Sequence, residues 1–260
     1  MINVAVLGHG TIGSGVVEVL QTNAAVIAKR VGEDIAVKYI LDLRDFPGDP
    51  NADKVVHDYD IIDKDSDIQV VVECMGGVEP AYTFVKKALL NGKSVATSNK
   101  ELVAKHGAEL IAIAREKNIN FLFEASVGGG IPIIRPIHQC LAANDVIEIA
   151  GILNGTTNFI LTKMIRDQMS FEDALALAQK LGYAERNPAA DIEGDDACRK
   201  ICILASLAFG KHVYPDQVHT EGITKVTLGD VEYAEAWGGV IKLIGRVKMM
   251  DDHRIQIIVC

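Results

Sequence analysis

Residues 2–20 restrict this chain more than any other stretch. Ile2-Asn-Val-Ala-Val-Leu7 is an apolar run of strand character that enters Gly8-His9-Gly10-Thr11-Ile12-Gly13 without a break. Apolar residues then return at helical spacing, at Val16, Val17, Val19 and Leu20. Strand, Gly-x-Gly-x-x-Gly turn and helix in that order predict the opening of a doubly wound α/β sheet. The reason is steric and electrostatic. Glycines permit a tight turn and let the main chain approach a pyrophosphate, whose charge is favoured by the amides and dipole of a helix start. The motif alone would be weak, but between a strand and a helix it is strong. Gly8, Gly10, Thr11, Ile12 and Gly13 are therefore candidate dinucleotide-binding residues.

The pattern continues. A second strand over 36–41 ends at Asp42-Leu43-Arg44. An acidic residue at that place can bond a ribose 2′-hydroxyl and repel a 2′-phosphate, whereas an arginine favours the phosphate. Asp42 comes about thirty residues after Gly13, later than the usual interval of roughly 20. With both Asp42 and Arg44 present the choice between NAD and NADP stays open, with a lean to NAD. Residues 46–67 are polar and rich in turn formers, and read as a crossover. Ile68-Gln-Val-Val-Val-Val-Glu73 has the continuous β-branched character of a buried parallel strand. It runs into Cys74-Met-Gly76-Gly77, a loop, and a helix beginning near Pro80. Ligands of such sheets lie beyond the carboxyl ends of the strands, so Gly76 and Gly77 are expected to face the dinucleotide. A strand over 93–97 places Lys100 on the same rim, where a solvated lysine is the ordinary outcome. A helix over 102–117 and a strand over 120–124 follow.

Glu124-Ala-Ser-Val-Gly-Gly-Gly-Ile-Pro132 ends this style of sequence, and three glycines then a proline mark a boundary. We expect a Rossmann domain over 1–130 and an α+β domain over 131–260. The second half offers a helix over 133–141, a strand over 145–153, and Asn154-Gly155-Thr156-Thr157 at the start of a helix over 159–167. That turn suits a bound carboxylate or plain helix capping. A helix over 170–181, a buried helix over 197–209 and another over 227–237 are expected. A turn at 251–253 and a final strand over 254–260 complete the reading.

The stretch 182–200 carries the most chemistry. It crowds Glu185, Asp191, Glu193, Asp195 and Asp196 together and ends in Lys200, just before a run that is apolar nearly all round a helix. Asp195 is placed to cap that helix. Asp196 and Lys200, at i and i+4, share a face with Ile203, Leu204 and Leu207. A half-buried, carboxylate-paired lysine can donate a proton or stabilise a negative charge, although structural ion pairs are the commoner result. Glu185 and Asp191 could pair with an ammonium group, or with a divalent ion, though the alternating ligand spacing of a calcium loop is missing.

A net charge of -9 argues against nucleic acid, whose binding is driven by lysine and arginine on phosphate. No apolar run is long enough to span a membrane. Five cysteines without regular spacing point to free thiols in a reducing cytoplasm. Cys198 and Cys202 read as core packing.

Ala178-x3-Gly182-Tyr183-Ala184 followed by Asn187-Pro188-x2-Asp191-Ile192-x-Gly194-x-Asp196-x3-Lys200 resembles the signature of homoserine dehydrogenases. Gly92-Lys93-Ser94-Val95-Ala96-Thr97-Ser98-Asn99-Lys100 is similar to that family's Gly-Lys-x-Val-x-Thr-x-Asn-Lys motif. The resemblance covers essentially the whole chain in order. It implies NAD(P)-linked interconversion of aspartate semialdehyde and homoserine in threonine and methionine synthesis. Lys200, Lys100 and Asp196 would be catalytic, with Lys100 reaching the reacting carbonyl. Glu185, Asp191, Gly155 and Thr156 would serve the substrate. Main-chain carbonyls of Glu124, Val127, Gly129 and Ile131 would hold a monovalent cation such as Na⁺. The partners implied are this small substrate and other copies of the chain, in a homodimer or larger homo-oligomer. Family members continue past this point and many carry a regulatory ACT domain, so a truncated chain is expected, ending in an apolar edge strand that self-associates. Another amino-acid dehydrogenase of the same plan, or a catalytically silent NAD(P)-binding protein, remain as alternatives.

Overall fold

The structure is a computed structural model that describes residues 1–251 and 253–260. Asp252, in the turn expected at 251–253, lies outside the described residues. Two compact units emerge, Met1–Pro132 and Ile133–Cys260.

The first unit is built from β1 (Ile2–Leu7), α1 (Thr11–Thr22), α2 (Ala24–Val31), β2 (Ile35–Leu41), β3 (Val55–Val56), α3 (Tyr59–Lys64), β4 (Ile68–Glu73), α4 (Ala81–Leu90), β5 (Ser94–Thr97), α5 (Lys100–Glu116) and β6 (Phe121–Leu122). Its six strands run parallel in the order β3-β2-β1-β4-β5-β6. This is the doubly wound Rossmann order, which reverses between β1 and β4 and opens a crevice there. Val4, Val6, Val17, Val37 and Ile40 form a core between β1, β2 and α1. Sheltered over most of their length, β1 and β4 bury Val4, Val6, Ile68 and Val71, whereas Gln69 of β4 stays exposed.

Several expectations need correcting here. The helical spacing at Val16–Leu20 falls within α1, and an unexpected second helix, α2, follows after Asn23. The polar stretch 46–67 hides a two-residue strand and the short α3. Asp58 caps α3 by accepting from the Asp60 amide at 2.9 Å, and Tyr59 and Ile62 provide its buried face. The strand expected over 120–124 shrinks to two residues, because Glu124–Ser126 turns into a 3-10 segment. Helix α5 begins two residues before the expected 102, so Lys100 occupies its first turn.

The second unit contains β7 (Glu148–Gly151), α6 (Gly155–Asp167), α7 (Phe171–Lys180), α8 (Ala189–Ile192), α9 (Asp195–Phe209), β8 (His219–Thr220), α10 (Leu228–Ala236), β9 (Gly245–Met249) and β10 (Ile255–Val259). Its strands form one mixed sheet, β7-β9-β10-β8, with β9 antiparallel to both neighbours and β8 parallel to β10. Helix α9 packs on β9 and β10. The approach is close enough that a Cβ at Gly245 would fall 2.7 Å from Leu153 and 3.4 Å from Ile201. The strand expected over 145–153 extends only from Glu148 to Gly151. The helix expected over 133–141 is largely a π-helical segment, Pro136–Cys140, in which the Leu141 amide reaches back to Pro136 at 3.1 Å. The final strand is not the open edge we expected. It lies inside the sheet between β9 and β8, with Ile258 and Val259 paired to β8.

Candidate active site

At the carboxyl rim of the parallel sheet, Gly8 adopts a φ of 93°, and a Cβ there would press on the Cys74 main chain at 3.2 Å. Gly13 lies so near the turn that a Cβ would fall 1.8 Å from the Gly8 carbonyl oxygen. The two glycines therefore let α1 start hard against β1. No side chain caps α1, which leaves its first amides facing outward at Gly10, Thr11 and Ile12. That cradle fits the pyrophosphate of a dinucleotide.

Asp42, just past β2, organises the neighbouring corner. Its carboxylate accepts the His9 amide at 2.8 Å, the Arg44 amide at 3.0 Å, and both Nε and Nη2 of Arg44 at 3.0 Å. The Arg44 guanidinium, helped by the two amides, holds the Asp42 carboxyl well below the usual carboxylate range. Arg44 also lies over the Phe46 ring at 5.1 Å. His9 points inward, with Nε2 3.1 Å from Asp49 and its ring edge-on to Phe46 at 4.8 Å. The glycine turn after β1 is thus tied to the loop after β2. Gly76 and Gly77 both have positive φ, 77° and 70°, so the loop after β4 keeps no side chain at its tip. The Asn99 side-chain amide holds that loop by donating to the Gly77 carbonyl at 2.6 Å. Asn99 also caps α5, accepting from the Leu102 amide at 3.1 Å, and so sets where Lys100 begins.

In the second unit the acidic stretch assembles around α9. Lys200 donates to Asp196 Oδ2 at 2.6 Å and to the Leu153 carbonyl at 2.9 Å. Both side chains are sheltered: Lys200 keeps 15% of its side-chain exposure and Asp196 3%. Asn154 completes the cluster. Its Nδ2 donates to Asp191 at 2.7 Å and to Asp196 at 2.9 Å, while its Oδ1 caps α6 through the Thr157 amide at 2.8 Å. An ammonium carries three donors. Asp196 and Leu153 use two, so the third is available to an oxygen that gains charge.

Asp191, Asp196 and Lys200 are therefore brought together, through a residue that sequence reasoning treated only as part of a turn. Asn before Gly-Thr-Thr signalled a helix cap. Nothing local signalled that the same amide reaches two carboxylates 37 and 42 residues away. Gly155 opens α6, and the Thr156 hydroxyl is spent on the Tyr183 carbonyl at 2.7 Å. Glu185 is exposed on the loop after α7, outside the hydrogen-bonded cluster. Asp195 does not cap α9. Gly194 does, at φ 91°, in a conformation costly for a side chain and where a Cβ would meet Thr220 at 2.9 Å.

Around the same helix, at Cys198 rather than Lys200, lies a cavity of about 340 Å³ lined by Asp195, Cys198, Arg199, Pro215, Asp216, Val218 and Thr220. The Cys202 thiol donates towards Cys198 and, with the Thr220 hydroxyl, lowers the Cys198 pKa below that of a free thiol. Cys202 is correspondingly raised. Among the described residues no group of three or more His, Cys, Asp and Glu side chains is arranged to hold a metal ion. No described helix is long and apolar enough to cross a membrane.

Known proteins match this architecture along its whole length. The family model described as "Homoserine dehydrogenase, NAD binding domain" matches residues 8–124, and the model "Homoserine dehydrogenase" matches 132–259. The homoserine dehydrogenase of Pseudomonas aeruginosa is 47% identical over 245 residues, which is 94% of this chain and 56% of that protein. That of Bacillus subtilis is 42% identical over 263 residues, 98% of this chain and 60% of the relative. The chain thus spans rather more than half the length of these relatives. Among solved structures, a homoserine dehydrogenase from Thiobacillus denitrificans superposes with a TM-score of 0.93 at 42% identity, covering 99% of this chain and 60% of that one. A hyperthermophilic archaeal homoserine dehydrogenase in complex with NADPH gives 0.82 at 25% identity, covering 100% and 81%.

Proposed function

This chain belongs to the homoserine dehydrogenase family, and from that premise we propose that it interconverts L-homoserine and L-aspartate 4-semialdehyde using NAD or NADP. The observation that carries the proposal is the sheltered Asp196–Lys200 pair, with one ammonium proton left over. When bound, the nicotinamide supplies or accepts the hydride. Reduction of an aldehyde leaves an alkoxide, and a fixed cation in a dry site stabilises that charge and can protonate it. Lys200 fills this role, Asp196 holds its ammonium aimed at 2.6 Å, and Lys100 is assigned to the reacting carbonyl as the family resemblance implies.

On the same reading, Asp191 and Glu185 receive the substrate ammonium. Asp191 gives only Oδ1 to Asn154, leaving its second oxygen for a ligand. The substrate carboxylate is assigned to Gly155 and Thr156 at the α6 N-terminus, where main-chain amides favour an anion. Gly8, Gly10, Thr11, Ile12, Gly13, Gly76 and Gly77 receive the dinucleotide. The closure of Arg44 onto Asp42 supports NAD over NADP, since a 2′-phosphate must compete with an ion pair already made. A monovalent cation fits the loop after β6. Ile131 donates to the Gly128 carbonyl at 2.9 Å, whereas no described hydrogen bond ends on the carbonyls of Val127, Gly129 or Ile131. Assembly into a homodimer or larger homo-oligomer, and a cytoplasmic location, complete the proposal.

The test is a nicotinamide absorbance assay with homoserine and each of NAD and NADP. Turnover with homoserine is expected. Turnover on aspartate or saccharopine in its place, or dinucleotide binding with no hydride transfer to any of them, would overturn the reading.

A further inference from the structure

Glu73 ends β4 and is completely buried, yet among the described residues it has no ion-pair partner. Burying a carboxylate is expensive unless donors satisfy it. Here they do, and all come from the loops that shape the rim. Oε1 accepts the Met75 amide at 2.7 Å and the Asn99 side-chain amide at 3.5 Å. Oε2 accepts the Thr97 hydroxyl at 2.5 Å. Thr97 in turn receives the Asn99 main-chain amide at 2.9 Å. Asn99 then reaches both ways, to the Gly77 carbonyl at 2.6 Å and to the Leu102 amide at 3.1 Å. One carboxylate thus ties the end of β4, the end of β5, the Gly76-Gly77 loop and the first turn of α5 into a single network.

The chemistry of the position calls for an acid. An ionised carboxylate accepts at both oxygens, and three donors converge on it. A glutamine would turn an NH₂ group towards one of them and leave it unsatisfied. A simple turn would need no such buried charge.

We propose that Glu73 is a positioning residue for Lys100: through Thr97 and Asn99 it fixes where α5 begins and how the Gly76-Gly77 loop is held beside it. The proposal rests on the assignment of Lys100 to the reacting carbonyl. Glu73 itself is no proton donor or acceptor to the substrate, being sealed beneath the loops.

Two measurements on the chain as it stands test this. The first compares Glu73→Gln, Lys100→Met and the double variant for homoserine turnover. Glu73→Gln should lower kcat by about tenfold while moving KM for homoserine by less than about threefold. In the Lys100→Met background it should cost nothing further, since a residue acting through Lys100 has nothing left to position. Full additivity of the two losses would overturn the role of Glu73. A Lys100→Met variant as active as the parent would instead overturn the assignment of Lys100, so the two failures are distinct.

The second measurement needs no turnover. Amide hydrogen exchange at Met75 and Leu102 should speed up by about tenfold in Glu73→Gln, with the β1 amides unchanged. Thr97→Ser should leave exchange as in the parent and Thr97→Val should reproduce the Glu73→Gln pattern, which keeps the test alive if one variant folds poorly. Unchanged exchange at Leu102, or acceleration spread evenly over the first unit, would refute the network.

Discussion

The side-chain amide of Asn154 donates to Asp196 across 2.9 Å, joining the end of one loop to the start of a helix 42 residues later. The oxygen it meets is the one that holds Lys200 at 2.6 Å. A single carboxylate oxygen therefore receives an amide and an ammonium at once, and both hydrogen bonds fix its direction. Because the same asparagine caps α6, the geometry of Lys200 and the position of Gly155 and Thr156 are set together.

Removing that amide should be felt in both places. Asn154→Ala strips the cap from α6, worth about 1 kcal/mol, and removes a buried donor from two carboxylates, worth about 1–3 kcal/mol. A loss of roughly 2–4 kcal/mol in urea unfolding is expected, with a fall in kcat larger than any change in dinucleotide affinity. A variant as stable as the parent would mean that water replaces the amide without cost.

Lys200→Ala should lower kcat by about 10²-fold or more, the scale typical of a positioned acid, while dinucleotide affinity stays nearly constant. Fluorescence titration with the reduced dinucleotide separates the two effects. Equal loss of both would assign Lys200 to the scaffold.

Asp42→Ala removes the carboxylate that occupies Arg44 and that, on the proposed reading, would repel a 2′-phosphate. Preference should move towards NADP, by about tenfold in the ratio of kcat/KM values, since a repulsive element disappears and a guanidinium is released. The ratio measured for the two dinucleotides checks this. No movement would place Asp42 away from the ribose.

Cys198 should react at a lower pH than Cys74. Its pKa is depressed by the Cys202 thiol first and by Thr220 next, so its thiolate is populated below the pH where an ordinary cysteine ionises. Cys74 moves the other way, pushed up to about 11 chiefly by burial. Peptide-resolved alkylation by iodoacetamide across pH should place the Cys198 midpoint below that of Cys74, and Thr220→Val should raise it. Identical midpoints would show that the cavity does not admit the reagent or that the thiol is not activated.

Much of the first unit was legible because periodicity carries it. Continuous β-branched runs at 68–73 and the strand–glycine–helix opening leave few other folds available. What escaped was short or non-local. A two-residue strand and a six-residue helix within 46–67 give too few side chains for a period to show. Asp195 looked like a cap because its residue type is right, but the backbone there takes a left-handed turn that Gly194 alone accommodates. Asn154 was legible as a cap and illegible as a bridge, since its carboxylate partners come from a different part of the chain. The buried acid at Glu73 read as a strand end for the same reason. Candidate main-chain ligands such as the Val127 and Gly129 carbonyls are common to every residue type, so only the family resemblance pointed to them.

Lys200 and Asp196 meet within one turn of α9, but the carbonyl and amide that fix them come from Leu153 and Asn154. That arrangement imposes an order in time. Synthesis at about 5–20 residues per second puts roughly 2–8 seconds between the appearance of Asn154 and that of Asp196. The local ion pair can form about as quickly as the helix, on the order of a microsecond, whereas the clamp around it must wait for a long loop to close. Until residue 191 has been made, Asn154 can serve only as a helix cap, and its bridge to the Asp196–Lys200 pair waits for residues 196 and 200.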